Sequence, residues 1–249
     1  MMFFKHFLSA IQLLTIIPLK ISFDRDQLEK SVLYFVPVGF LIGAILLGSH
    51  WILKSYLHAA VLSSFLLVIW VFMTGAIHLD GFIDTMDGLY AGRTKEERLK
   101  IMLDTKIGSI GVVSVIILLL MKFSLLYSIN SLNIWKVLLI TPAWSRWGMV
   151  LMCCLFPYAK EEGKGKIFVE GARKWYILPQ GIIVLICSLF LLGWETFYIL
   201  IVLSLFIYLF GLLLKSKIGG ITGDTIGAVN EIGEVLVLLC ISLIQCIQT

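Results

Sequence analysis

The chain has 249 residues, of which 59% are hydrophobic and 14% charged, with a net charge of +4 and a mean hydropathy of +0.99. A soluble domain carries about a quarter charged residues, so these values exclude an ordinary globular protein. They point to one polytopic membrane-embedded domain over 1–249, and nothing in the small positive charge suggests nucleic-acid binding.

A span needs about 20 apolar residues. In chain order, seven stretches qualify: 31–53, 56–79, 108–129, 134–157, 176–193, 196–214 and 232–248. Stretches 176–193 and 232–248 are short enough to be tilted or re-entrant. Before them, 3–19 carries Lys5 and His6 and ends at Pro18. It fits an interfacial amphipathic helix or a half-span, and no small-residue cleavage site marks it as a removed signal peptide. The expected fold is therefore an all-α integral membrane protein, a polytopic helical bundle of about 6–7 spans. Segments 1–30, 80–107, 159–175 and 215–231 hold 4, 5, 5 and 2 of the 20 Lys and Arg residues. The intervening loops hold little beyond Lys54 and Lys136. The positive-inside rule then predicts that the four basic segments, and any active-site loops among them, face the cytoplasm. The five cysteines (Cys153, Cys154, Cys187, Cys240 and Cys246) lie in apolar runs without zinc spacing and read as buried small hydrophobes.

The most unusual stretch lies at the end of the second apolar run, from His78 through Asp80-Gly81, Asp84 and Asp87-Gly88, with Asp104 further on. Asp80, Asp84 and Asp87 share one helical face by their i, i+4, i+7 spacing. Clustered carboxylates beside hydrocarbon repel one another and resist dehydration unless a cation neutralises them. Mg²⁺ suits such a group, because it takes one or two carboxylates and fills its octahedron with water and phosphate oxygens. Thr94 and Glu97 fit a capping box, which predicts a short helix over 95–104. Glu96, Glu97, Arg98 and Lys100 read as its solvated face. Thr105 to Gly111 could form a small-residue phosphate-binding turn leading into the third span.

Two other features carry charge into the apolar chain. A glycine-rich acidic run, Gly219 to Glu234, opens the last span, and Asp224, Glu231 and Glu234 could reach the same pocket as the aspartates. Arg146 sits near the middle of the fourth span. A membrane Arg faces the bundle interior and pairs with an acid or anion, here expected to be a ligand phosphate or one of the aspartates. Lys122 lies nearer the other end of the third span and is expected to snorkel to the interface.

These residues resemble a known family. His78-Leu79-Asp80-Gly81, Asp84-x-x-Asp87-Gly88, and Arg98-Leu99-x-Ile101-Met102-x-Asp104-x-x-Ile107-Gly108-x-x-Gly111-Val112 are similar to the signature of cobalamin synthase, the adenosylcobinamide-GDP ribazoletransferase of bacteria and archaea. The resemblance continues through Tyr34-Phe35-x-Pro37-x-Gly39, Arg146-Trp147, Pro157-Tyr158-Ala159-Lys160 and Gly220-x-Thr222-Gly223-Asp224-x-x-Gly227-Ala228. Two departures stand out: Lys160 replaces an expected Arg, and Gly163-Lys164-Gly165 replaces a more apolar glycine pair.

The resemblance implies a Mg²⁺-dependent enzyme of the cytoplasmic membrane. It would transfer the cobinamide phosphate of adenosylcobinamide-GDP to the ribose 3′-hydroxyl of α-ribazole or its 5′-phosphate, releasing GMP. On that reading Asp84 and Asp87 hold the metal, with Asp80 as a further ligand, and Asp104 completes the site or takes the hydroxyl proton. His78, Arg93, Lys106, Arg146, Asp224 and Glu231 are the expected substrate contacts. The resemblance leaves room for a homo-oligomer or for contact with other cobamide-assembly enzymes at the membrane. Asp84-x-x-Asp87-Gly88-x-x-Ala91-Gly92-Arg93 is also one residue off the opening of the CDP-alcohol phosphotransferase motif, but the later half of that motif is absent. The alternatives are such a phospholipid enzyme, or an ion-coupled transporter with the aspartates as coupling site.

Overall fold

The computed structural model describes residues 2–19, 21–129, 133–163 and 165–248. Lys164 and the side chain of Cys246 lie outside the described residues. The helices are α1 (Met2–Leu14), α2 (Arg25–Lys30), α3 (Phe35–Leu53), α4 (Ala59–Met73), α5 (Ile77–Ala91), α6 (Lys95–Ile101), α7 (Ser109–Ser128), α8 (Ile134–Leu155), α9 (Lys166–Gly171), α10 (Ile177–Leu192), α11 (Thr196–Ile218) and α12 (Gly223–Gln248). By length and composition, five helical stretches can cross a membrane, or six if α4 and α5 form one bent span. The chain is thus an all-α, multi-pass membrane protein.

α8 is the axle of the bundle. Its apolar window is 94% buried, whereas that of α7 is 22% and that of the stretch from Lys174 to Ile218 is 28%. The exposed apolar faces of α7, α10 and α11 are therefore the ones left for lipid. α3 lies against α8 through Gly39 and Gly43: a Cβ on Gly39 would stand 2.5 Å from the Pro142 carbonyl oxygen, and one on Gly43 would strike that of Leu139. Small residues four apart let two helix backbones approach this closely in a membrane. Trp144 of α8 reaches across the bundle interior to α10, donating to Ser188 Oγ at 2.8 Å.

The expected second span, 56–79, is not one helix. α4 ends at Met73, and the chain turns by 87° before α5 begins. Gly75 (φ 59°) and Ala76 (φ 56°) both adopt the left-handed conformation at this corner. The aspartates consequently sit on a helix of their own, packed against α7 and α12, rather than at the end of a straight span. Of the two short stretches, 232–248 differs from expectation, whereas 176–193 is found as the separate helix α10. α12 starts at Gly223 and runs for 26 residues, about 39 Å at 1.5 Å per residue, so 232–248 is the later part of a full-length helix. α10 and α11 are separate helices broken at Gly193 (φ 75°).

Local signals behaved as expected elsewhere. Thr94 Oγ1 accepts from the Glu97 N–H at 3.2 Å, and Glu97 accepts from the Thr94 N–H at 3.3 Å, so the capping box starts α6 as predicted. Cys153 is buried, and Cys154, Cys187 and Cys240 are half-buried; all four are free thiols.

Candidate active site

α5 and α12 touch at backbone distance. A Cβ on Gly81 would lie 2.7 Å from the Asp224 carbonyl oxygen, and one on Gly227 would lie 3.2 Å from His78 Cα. This crossing sets Asp224, in the first turn of α12, beside the acidic face of α5. Asp84 feels the charges of Asp80, Asp224 and Asp87, opposed by the ammonium of Lys160. Lys160 is brought there by a short pairing of two loops: the Ala159 N–H donates to the Ile221 carbonyl at 2.8 Å, and the Ile221 N–H donates to that of Pro157 at 2.9 Å. Its Nζ then stands 3.8 Å from Asp224 Oδ2. Thr222 caps α12, accepting from the Thr225 N–H at 3.2 Å and donating to Asp224 Oδ2 at 3.2 Å. One loop cation thus faces several carboxylates, and the balance of the site is negative.

A cavity of about 300 Å³ opens beside this cluster. α5 and α12 contribute His78, Asp80, Asp224 and the glycine edge at Gly223 and Gly227. α1, α3, α8 and α9 contribute apolar side chains, including Leu14, Phe35, Met149, Cys153 and Phe168. His78 is 4% exposed, and its Nε2 has no hydrogen-bond partner among the described residues. Of the expected site residues, Asp80, Asp84, Asp224 and His78 are brought together.

Asp87 takes a different position. Its Oδ2 accepts from the Gly108 N–H at 2.7 Å and its Oδ1 from the Gly111 N–H at 2.8 Å. These are the free amides at the start of α7, where helix geometry and dipole favour an anion. A Cβ on Gly108 or Gly111 would strike the carboxylate, which accounts for both glycines. The expected phosphate turn over Thr105 to Gly111 is therefore already occupied by a side chain, and Asp87 fastens α5 to α7. Asp104, Lys106 and Arg93 lie exposed on the connection between α5 and α7. Asp104 accepts from the Lys106 N–H at 3.1 Å, and it does not line the cavity. Among the described residues, no three His, Cys, Asp or Glu side chains converge closely enough to hold a metal alone.

Deeper in the bundle lies a second charged group, and it corrects three expectations. Arg146 pairs with Glu234 of α12 rather than with an aspartate of α5. Glu231 accepts from Lys122 at 2.5 Å and is 3% exposed, so it is not a pocket contact. Lys122 does not snorkel; it is 1% exposed and also reaches Glu234 at 2.5 Å. Trp70 and Asn230 each donate to Glu234 at 3.1 Å. Two cations and two anions leave the group neutral, as burial in low dielectric demands.

Of the apolar wall of the cavity, Phe35 stands in a stretch that resembles the family, but not for any chemical reason. Leu14, Phe35, Met149 and Phe168 carry no chemical signature that separates a ligand wall from ordinary core. Lys160 was visible only as a departure from the family pattern.

Comparison with known proteins covers almost all of the chain. The cobalamin-5-phosphate synthase family profile matches residues 6–242. The chain is 35% identical to an adenosylcobinamide-GDP ribazoletransferase of Fusobacterium nucleatum, over 93% of this chain and 95% of that protein. It is 36% identical to one of Clostridium botulinum (strain Langeland), over 94% and 95%, and 31% identical to one of Clostridium novyi, over 95% and 96%. No solved structure matches.

Proposed function

Because the chain belongs to the cobalamin-5-phosphate synthase family, we propose that it joins the two halves of a cobamide at the acidic site between α5 and α12. The donor is adenosylcobinamide-GDP, and the acceptor is α-ribazole or its 5′-phosphate. The acceptor 3′-oxygen bonds to the cobinamide-side phosphorus, the bond from that phosphorus to the bridging oxygen breaks, and GMP leaves with that oxygen. Adenosylcobalamin or its 5′-phosphate remains. The observation that carries this reading is the meeting of Asp80 and Asp84 with Asp224 beside a ligand-sized cavity.

The donor set suits Mg²⁺, which needs only one or two carboxylates when water and substrate phosphates complete its shell. Asp80 and Asp84, one helical turn apart on α5, would hold it. Bound there, it would neutralise charge on the diphosphate and on the departing GMP. The remaining work belongs to the chain. Asp224 lines the cavity and would take the proton of the acceptor hydroxyl, a role that suits it better than the outlying Asp104. Lys160 would bind a donor phosphate as a point charge. Arg93 and Lys106, on the exposed connection, would draw the anionic donor toward the site. Asp87 would act at a distance, by keeping α5 seated on α7.

The basic segments would face the cytoplasm, placing the site at the inner surface of the cytoplasmic membrane. The test is nucleotide release by detergent-purified protein. GMP is expected only when donor, acceptor and Mg²⁺ are all present, and no CMP is expected from CDP-diacylglycerol. Absence of GMP with the full mixture, or CMP release in its place, overturns the assignment.

A further inference from the structure

We propose that the cavity beside the carboxylates is the seat of the acceptor's flat aromatic base, and that the corrinoid half of the donor binds outside it. This rests on the transfer reaction proposed above. Four observations assign the cavity to a neutral aromatic riboside.

The first is size. About 300 Å³ is at the lower end of small-ligand pockets, room for one nucleoside and far too little for a corrin macrocycle. The second is charge. Among the described residues, the lining contains Asp80, Asp224 and His78 but no Lys or Arg. A phosphate enclosed there, away from the cation that Asp80 and Asp84 would hold, would meet Asp224 without a positive partner of its own. The charged parts of both substrates therefore stay at the mouth, where Lys160 approaches Asp224. The third is the character of the apolar side. Phe35 and Phe168 approach with ring centroids 6.3 Å apart, and Met149 and Cys153 add polarisable sulfur. Rings and thioethers are favourable neighbours for a planar heteroaromatic group. The fourth is His78, whose buried Nε2 lacks a partner among the described residues. A buried imidazole nitrogen without a partner is costly, and a ribose hydroxyl donated to it removes that cost.

The arrangement orients the acceptor. A base held among Phe35, Met149, Cys153 and Phe168 leaves its sugar on the α5 and α12 side, where His78 and Asp224 stand. The hydroxyl is then delivered to the carboxylates by shape as well as by charge.

Steady-state GMP release resolves this proposal, with donor and acceptor varied separately. Cys153→Phe narrows the cavity from α8. It is expected to raise the acceptor KM by about tenfold or more, the discrimination a hydrophobic pocket gives for small changes in volume, and to leave the donor KM within about twofold. A rise in the donor KM with the acceptor KM unchanged overturns the proposal. Should that variant fail to accumulate, equilibrium dialysis of the wild-type protein without donor decides. A benzimidazole riboside is expected to bind and to be displaced by free benzimidazole; binding no tighter than that of ribose alone overturns the proposal. Failure of the wild type to release GMP from the complete mixture is a separate result, and it counts against the transfer reaction itself.

Discussion

The three aspartates of α5 occupy one face yet do different work. Asp87 has both oxygens committed to the amides of Gly108 and Gly111, whereas Asp84 is surrounded by other negative charges. Their amide variants should separate accordingly. Asp84→Asn removes like-charge repulsion and should leave thermal stability in detergent unchanged or higher while abolishing GMP release. Asp87→Asn loses an acceptor and its charge at a helix N-terminus, and should cost about 1–3 kcal/mol of stability. Melting curves followed alongside activity check both; a destabilised Asp84→Asn or a fully stable Asp87→Asn contradicts the division of roles. In the deeper group, Glu234→Gln removes the anion shared by Arg146 and Lys122, leaves Glu231 as the group's one carboxylate for two buried cations, and should destabilise by roughly 3–5 kcal/mol. Near-wild-type melting of that variant would mean that Arg146 and Lys122 find other partners. The aspartates were legible in the sequence because i, i+4, i+7 spacing is a local property. The partner of Arg146 was not, because Glu234 lies 88 residues away and nothing local distinguishes it from Asp224.

At the scale of elements, what could be read depended on whether the signal was short-range. The capping box of α6 is complete within four residues, and it placed that helix correctly. The corner between α4 and α5 was hidden because Thr74, Gly75 and Ala76 interrupt the apolar run without a charge or a proline. Left-handed φ at a non-glycine residue is a tertiary consequence, held here by the packing of α5 on α7 and α12. The corner also explains how the carboxylates come to lie on a helix packed against α7 and α12 rather than at the end of a straight span. Gly75→Val places a Cβ 2.9 Å from Ile16 Cγ2 at φ 59°. It should lower stability by about 1–2 kcal/mol from backbone strain alone, with the α5 site losing activity in parallel. Unchanged melting and turnover would show that the corner tolerates a different path.

For the whole molecule, composition and the spacing of basic segments sufficed for the class: an apolar chain whose charges gather in alternate loops. The account further predicts one sidedness. A cysteine at exposed Lys100 of α6 should react with a membrane-impermeant maleimide only after cells are opened, and one at exposed Lys54 should react in intact cells. The reverse pattern would turn the site to the outside. The cavity lay beyond sequence reasoning, since its walls come from α1, α3, α5, α8, α9 and α12 and combine only when the helices pack. All of these elements serve one physical proposition: carboxylates of α5, gathered beside α12, hold a divalent cation against a substrate diphosphate. Titration calorimetry with Mn²⁺ in the presence of GDP, on wild-type protein and on Asp84→Asn, tests it most directly. Saturable binding by the wild type that is lost in Asp84→Asn is the predicted result; no binding by either protein, or equal binding by both, would contradict it.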